Sequence, residues 1–148
     1  MISEHELREL LTALKAARDG DLTVRLPTRK SGVLGEIATT FNEVVDLNSR
    51  MSKELVRVSK VIGREGRMTE RATLVNAGGS WATSVASVNS LIDDLVRPTT
   101  EVARVIMAVA DGDLSQKMAL KIEGQPVKGE FLRIGTTVNA MVDQLSSF

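Results

Sequence analysis

Few residues in this chain could do chemistry. The only histidine, His5, lies in Ser3-Glu4-His5-Glu6-Leu7-Arg8. An imidazole there could carry a proton or accept a phosphoryl group, but no ATP-binding motif accompanies it in 148 residues. With one His and no Cys, a His-based metal cluster and thiolate chemistry are both excluded. Gly20, Gly66 and Gly112 could in principle cradle a phosphate, but none belongs to a glycine-rich loop of the required spacing. Ending a helix suits them better. Trp81 could anchor a ligand, yet it falls on an apolar seam and reads as core. No catalytic residue, cofactor or metal ligand is expected.

The elements that would position these residues are long helices. Leu34, Ile37, Phe41, Val44, Asn48, Met51, Leu55, Val58 and Ile62 follow one another in alternating steps of 3 and 4. This is a heptad seam, the pattern of a helix packed along its whole length against a partner helix. At about 1.5 Å per residue it spans roughly 40 Å. The pattern returns as Trp81, Val85, Val88, Ile92, Leu95, Thr99, Val102, Ile106 and Val109, and a shorter copy runs Phe131, Ile134, Val138, Met141, Leu145, Phe148. Asn48 and Thr99 are the polar members. Asn48 is either a device that fixes register, as buried Asn is in coiled coils, or a tolerated polar residue near a junction. Thr99 follows Pro98 and lies at a joint expected over Leu95–Pro98, because a mid-helix proline removes a hydrogen bond.

The seams belong to a repeat. Asp19-Gly20-Asp21-Leu22 recurs as Asp111-Gly112-Asp113-Leu114, with a degenerate copy, Glu65-Gly66-Arg67-Met68, at the midpoint; the spacing is 46 residues both times. Phe41-Asn42, Val88-Asn89 and Val138-Asn139 form a second landmark, and a glycine (Gly32, Gly79, Gly129) precedes each Asn by ten residues. Each repeat thus reads as helix, glycine-containing helix end, connector, glycine, second helix. The first helix begins near Ser3 with Leu7, Leu10, Leu14 and Ala17 on one face. In the connector, Leu22, Val24 and Leu26 alternate before Pro27. That suits an extended segment laying alternate side chains on an apolar surface, or an ordinary loop. Ser80 is a plausible N-cap for the Trp81 helix. The third connector, Asp113 to Lys128, is the longest, with Met118, Leu120 and Ile122 in alternation.

The totals agree with a helical array. Nineteen basic and 19 acidic residues give zero formal net charge, and no basic stripe exists, so nucleic acid is not an expected partner. One Trp, no Tyr and three Phe are thin for an enzyme core. The longest strongly apolar run, Val105 to Ala110, is far short of the roughly 20 residues a membrane span needs. Met1 leads straight into a charged helical segment, so neither a signal peptide nor a membrane segment is expected. A cytoplasmic location is the expectation. The last helix stops at Phe148 in mid-pattern, which suggests a piece of something longer.

A helix, a short connector opening Asp-Gly-Asp-Leu and a second helix carrying Phe-Asn resemble the HAMP domain, a linker module of sensor histidine kinases, chemoreceptors and cyclases. Asp19-Gly20-Asp21-Leu22, Leu34-Gly35-Glu36-Ile37 and Phe41-Asn42 carry the resemblance best. Val33 departs from the family's usual Glu. Glu130 keeps that glutamate in the third copy, where it would cap its helix or hold the connector; as bare sequence it is an acidic residue in a first helical turn. The later copies, with Gly-Ser-Trp and Gly-Glu-Phe before Val-Asn, look like concatenated HAMP arrays of hybrid histidine kinases. The resemblance implies an all-α fold of three HAMP repeats, at 1–51, 48–98 and 97–148, with helices contiguous between them. Each repeat would be a four-helix bundle in a parallel homodimer, relaying a signal between adjacent sensor and kinase or other output domains. Its packing core would comprise Leu22, Val24, Leu34, Ile37, Phe41, Met51, Leu55, Val58, Ile62, Met68, Trp81, Val85, Val88, Leu95, Val102, Ile106, Val109, Leu114, Phe131 and Val138, with Gly20, Gly66, Pro98, Gly112 and Glu130 at helix ends and junctions. The rival reading is a monomeric helical bundle that binds a ligand or partner helix. His-Glu-Leu-Arg also resembles the phospho-acceptor box of histidine kinases, but Glu9-Leu10 stands where Thr-Pro is expected, and a solvated helix residue is the better reading of His5.

The incoming seams meet their motifs in different phase. Ala17 lies two residues before Asp19 and Val109 two before Asp111, but Ile62 lies three before Glu65. One residue is about 100° of helix rotation. Either the middle repeat sets its first helix at a different rotation from its neighbours, or a degenerate repeat has drifted.

Overall fold

The computed structural model describes residues 2–148. Four long helices follow in order: α1 (Glu4–Arg18), α2 (Gly32–Val58), α3 (Gly79–Ala110) and α4 (Gly129–Ser146). A two-stranded ribbon, β1 (Lys121–Ile122) and β2 (Gln125–Pro126), precedes α4. The chain divides into two compact units between Ala86 and Ser87.

Local chemistry sets the helix ends. Ser3 caps α1, its Oγ accepting from the Glu6 N–H at 3.1 Å while donating to the Glu6 carboxylate at 3.2 Å, so one hydroxyl satisfies a free N–H of the first turn and ties down the carboxylate beside it. At the far end Gly20 takes φ +97°, a conformation that costs glycine nothing. That lets the Asp21 N–H reach back to the Ala16 carbonyl at 2.9 Å and the Gly20 N–H to Ala17 at 3.0 Å, closing the helix as a Schellman motif. α3 ends the same way at Gly112 (φ +85°), with Asp113 donating to Ala108 and Gly112 to Val109.

The end of the middle first helix is different, and it accounts for the phase offset. After Val58 the helix widens into a single π-helical turn, Ser59–Arg64. Beyond it the Arg67 N–H reaches back six residues, to Val61, and Gly66 reaches Ile62. The corresponding bonds at Gly20 and Gly112 span five and three residues. A π turn holds one residue more than an α turn, so the extra residue is absorbed there. The buried residues of the incoming helices are Ala13, Val58 and Val105. They lie six, seven and six positions before their motifs. A wider last turn therefore replaces the expected rotation of the whole middle helix.

Two further expectations are corrected. α3 runs through Pro98 without the joint expected at Leu95–Pro98. The carbonyl that proline frees belongs to the exposed Asp94, within reach of water, and the Thr99 hydroxyl adds a bond to the Leu95 carbonyl at 2.9 Å. Ser80 lies inside the first turn of α3 rather than capping it; the first N–H groups, those of Trp81 and Ala82, donate to the Gly78 carbonyl.

The connectors are extended. Leu22, Val24 and Leu26 are half-buried while Thr23 and Arg25 are exposed, so the alternation is structural. In the third connector the inward residues are Leu114, Gln116 and Met118, and the expected run through Leu120 gives way. Leu120 instead leads into the ribbon, where Lys121 pairs with Pro126 and Ile122 with Gln125. Glu123 and Gly124, both at positive φ, make its tip, the backbone of a type I′ turn. The Leu120 side chain lies so close to Gly135 that a Cβ there would approach it to 2.7 Å. In the first unit Ala13, Ala38, Val45, Val58 and Ala72 are buried; in the second, Val105, Met118 and Val142 form the core, with Val102, Val109 and Val138 against them.

Deleting Gly63 should shorten the π turn to an α turn and leave the urea midpoint close to that of the parent chain. Deleting Ser49, in the regular part of α2, shifts every later seam residue by about 100° and should lower the midpoint sharply. Equal losses from the two deletions would contradict this account of the turn.

Candidate functional site

An extended segment outside any sheet has unpaired N–H and C=O groups along both edges. Here the flanking helices bond them with side chains. In the first unit Asn42, on α2, accepts from the Leu26 N–H through Oδ1 at 2.8 Å and donates from Nδ2 to the Leu26 carbonyl at 2.9 Å. In the second unit Asn139, on α4, does the same to Met118, at 2.7 and 3.1 Å. One carboxamide thus imitates the edge of a neighbouring strand. The buried residues lie four positions before and three after each Asn: Ala38 and Val45, Gly135 and Val142. They belong to the same helix face, which is the face the connector covers.

The residue before each clamped position is basic, and it pairs with an Asp one helical turn past the Asn. Arg25 approaches Asp46 at 3.9 Å, and Lys117 meets Asp143 at 2.5 Å. Both pairs are largely exposed and contribute little individually. Asn89, Ala72, Arg71 and Asp93 occupy the matching positions of the middle repeat.

The incoming helix holds the other edge. Glu54 accepts from the Thr73 N–H at 2.6 Å and from its hydroxyl at 3.3 Å. Arg57 binds Glu54 through two bonds, at 2.7 and 3.0 Å, and donates to the Arg71 carbonyl at 2.8 Å. Glu101 and Arg104 repeat the arrangement on α3. Arg104 donates to Glu101 at 2.8 Å and to the Lys117 carbonyl at 2.8 Å, and the Ala119 N–H donates to Glu101. The Arg57 guanidinium, followed by the Thr73 donors, holds the Glu54 carboxyl at about 2, well below its ordinary 4.5, against the opposing effect of burial. Arg104 lowers Glu101 in the same way.

Asp21 and Asp113 fix the connector starts. Each accepts from the hydroxyl and the backbone N–H two residues on, at 2.5 and 3.0 Å in both cases, from Thr23 and Ser115. These bonds lower both carboxyl pKa values, the hydroxyl bond most. Arg67 stands at the matching place in the middle repeat.

The sequence-derived positions differ in burial. Val58 is buried, and Leu22, Val24, Leu34, Ile37, Phe41, Met51, Ile62, Trp81, Val85, Val88, Pro98, Val102, Val109, Leu114, Phe131 and Val138 are half-buried. Leu55, Met68, Leu95 and Ile106 are exposed, the last at 51%. Gly20, Gly66 and Gly112 all adopt positive φ at helix ends. Glu130 pairs with Arg133 three residues on, at the surface. Asn48 donates to the Val44 carbonyl of its own helix at 2.9 Å. His5 is exposed and pairs with Glu9 at 3.0 Å. The clamp asparagines were visible as a recurring landmark, but nothing local assigns them a role, because the backbone they hold lies 16 to 21 residues away.

Helix, clamped connector and second helix are thus present twice with matching hydrogen bonds. The HAMP domain family matches residues 5–46, and matches again over 76–147. The chain belongs to the HAMP domain family. Its two matched regions are HAMP domains in tandem. HAMP domains are non-catalytic modules that relay signals between sensor and output domains. Among the described residues no helix is long and apolar enough to cross a membrane.

Replacing Asn139 with Ala leaves the Met118 N–H and C=O unpaired and should lower unfolding free energy by about 1–3 kcal/mol. Asn139→Asp, which keeps the acceptor alone, should fall between. An unchanged urea midpoint for both would contradict the clamp. Glu54 has a depressed pKa in the folded state, so its stabilisation is complete above 4.5 and is lost as pH falls from 4.5 toward 2. Glu54→Gln should flatten the stability curve in that window, in a urea titration taken at successive pH values.

Proposed function

We propose that the chain is a relay segment of three concatenated HAMP repeats, at 1–51, 48–98 and 97–148, paired as a parallel homodimer. It sits in the cytoplasmic part of a sensor histidine kinase or chemoreceptor-type protein, between a sensor and a kinase or related output domain. The observation that carries this reading is a division of each helix into two faces. The face toward the connector is closed by Val45, Val105 and Val142, all 3% exposed or less. Part of the heptad face is left open: Leu14, Leu55, Leu95, Ile106, Met141 and Leu145 are each 38% exposed or more, although Val58 is buried and Val102, Val109 and Val138 pack against the second unit's core. Complete burial of such a side chain contributes roughly 1.5–3 kcal/mol, so a second copy covering a seam this long gains a large total.

The middle repeat is part of the proposal. The two family matches leave residues 47–75 between them. Those residues carry the Glu54–Arg57 arrangement, its Thr73 partner and the glycine-ended helix already described at Glu101–Arg104 and Gly112, which supports reading them as a third copy.

The relay works by displacement of packed helices. The connector is bonded to the second helix through Asn, so those two move together. A rotation or shift of the incoming helix therefore changes how the seams meet across the dimer, and packed interfaces of this kind switch between discrete settings. The contiguous helices, α2 with its π turn and α3, hand the change to the next repeat.

Single cysteines at Phe41 or Val88, in a chain that has none, test the pairing. Each should give a same-site disulfide dimer on mild oxidation, with Arg29→Cys, outside the seam, as the unreactive control. Failure of both seam positions to cross-link would overturn the parallel dimer.

A further inference from the structure

We infer that α1 is the one incoming helix not latched to its connector, so that the first repeat yields to displacement while the later ones carry connector and helix as a unit. Position for position, Glu9, Glu54 and Glu101 each lie four residues before the buried residue of their helix (Ala13, Val58, Val105), and Thr12, Arg57 and Arg104 lie one before it. In the two later copies Glu54 and Glu101 take the N–H groups of Thr73 and Ala119, and Arg57 and Arg104 take the carbonyls of Arg71 and Lys117, on either side of Ala72 and of the clamped Met118. In the first copy the residue after Leu26 is Pro27, which has no N–H to give. Thr12 replaces the arginine and is too short to reach in its place. Glu9 turns outward to His5.

The space at the junction agrees. A cavity of about 400 Å3 lies between α1, the connector and α2, lined by His5, Glu9, Leu10, Leu26, Pro27 and Leu34. The same location in the second unit holds about 80 Å3, lined by Arg97, Pro98, Glu101, Met118, Ala119 and Phe131. Ile122 and Val127 of the longer third connector also line the smaller space, so the difference in volume belongs to the ribbon as well as to the latch. The second-helix half of the site is intact in the first copy, where Asn42 holds Leu26. What is loose is therefore α1 relative to a fixed connector–α2 pair. Its part in signalling rests on the relay reading; its mobility does not.

The test is amide hydrogen exchange on the full chain, with folding confirmed by circular dichroism. Thr12→Arg with Pro27→Ala installs the missing donors and should slow exchange of the Ala13–Arg18 amides about tenfold, the factor that goes with one charge-assisted hydrogen bond. Adding Glu9→Ala to that pair removes the acceptor of the restored N–H and should reverse part of the slowing, separating the latch from a gain in helix propensity. The reciprocal pair, Arg104→Thr with Ala119→Pro, should speed exchange of the Val105–Ala110 amides by a similar factor. It decides the question if the first pair does not fold. Either pair, folded and without its change in exchange, overturns the inference. The readout is local to one chain, so a failed dimer or a silent output leaves it standing.

Discussion

A strand without a sheet must bond its backbone to something, and the way these connectors do so governs the rest of the chain. Water could satisfy the groups, but then nothing would hold alternate side chains inward against the helices. A carboxamide on the second helix, with one donor and one acceptor at a fixed spacing, matches the N–H and C=O of a single extended residue. Two bonds from one side chain fix both the position and the orientation of the connector. The alternation of Leu22, Val24 and Leu26, the small or absent side chains at Ala38 and Gly135, and the basic residue that reaches the following Asp all depend on that placement. Gly35 shows how close the approach is: a Cβ there would come within 2.1 Å of the Lys30 carbonyl oxygen.

With the inner face of each helix occupied by its connector, the heptad face is what remains for a neighbour. This separation explains why the chain tolerates so little aromatic content. The helices contribute Ala, Val and Gly to the inner core because a connector backbone must approach closely, and bulkier seam residues such as Leu55, Leu95 and Ile106 stay exposed outside it. It also explains the π turn. Within one continuous helix the seam must stay in register over many turns while the glycine end must meet the connector at a set angle. One surplus residue sets these two requirements against each other, and a single wide turn after Val58 reconciles them.

Much of this was legible in the sequence. The helical periodicity, the helix-ending glycines, the start of the first helix near Ser3 and the alternation in the first connector are local or strictly periodic signals. The one-residue offset before Glu65 was also visible, but its resolution was not, because a rotated helix and a widened turn leave the same spacing. Pro98 pointed to a joint; a long helix absorbs one lost bond when the freed carbonyl lies at an exposed residue. The ribbon at 121–126 was hidden by an apparent alternation through Leu120 and Ile122, although Glu123-Gly124 suits its turn. The asparagine clamps and the Glu–Arg pairs were beyond reach for a physical reason. They join a side chain to backbone atoms many residues away, and backbone partners leave no residue type in the sequence to read.

The account stands on the heptad face being an interface between copies of this chain. Sedimentation equilibrium over a concentration series measures that most directly. It should return twice the 16.0 kDa of the chain, with helicity falling only as the dimer dissociates. A fully helical species that stays at the single-chain mass at every concentration would contradict it, and would mean that the exposed seams face solvent in the folded protein.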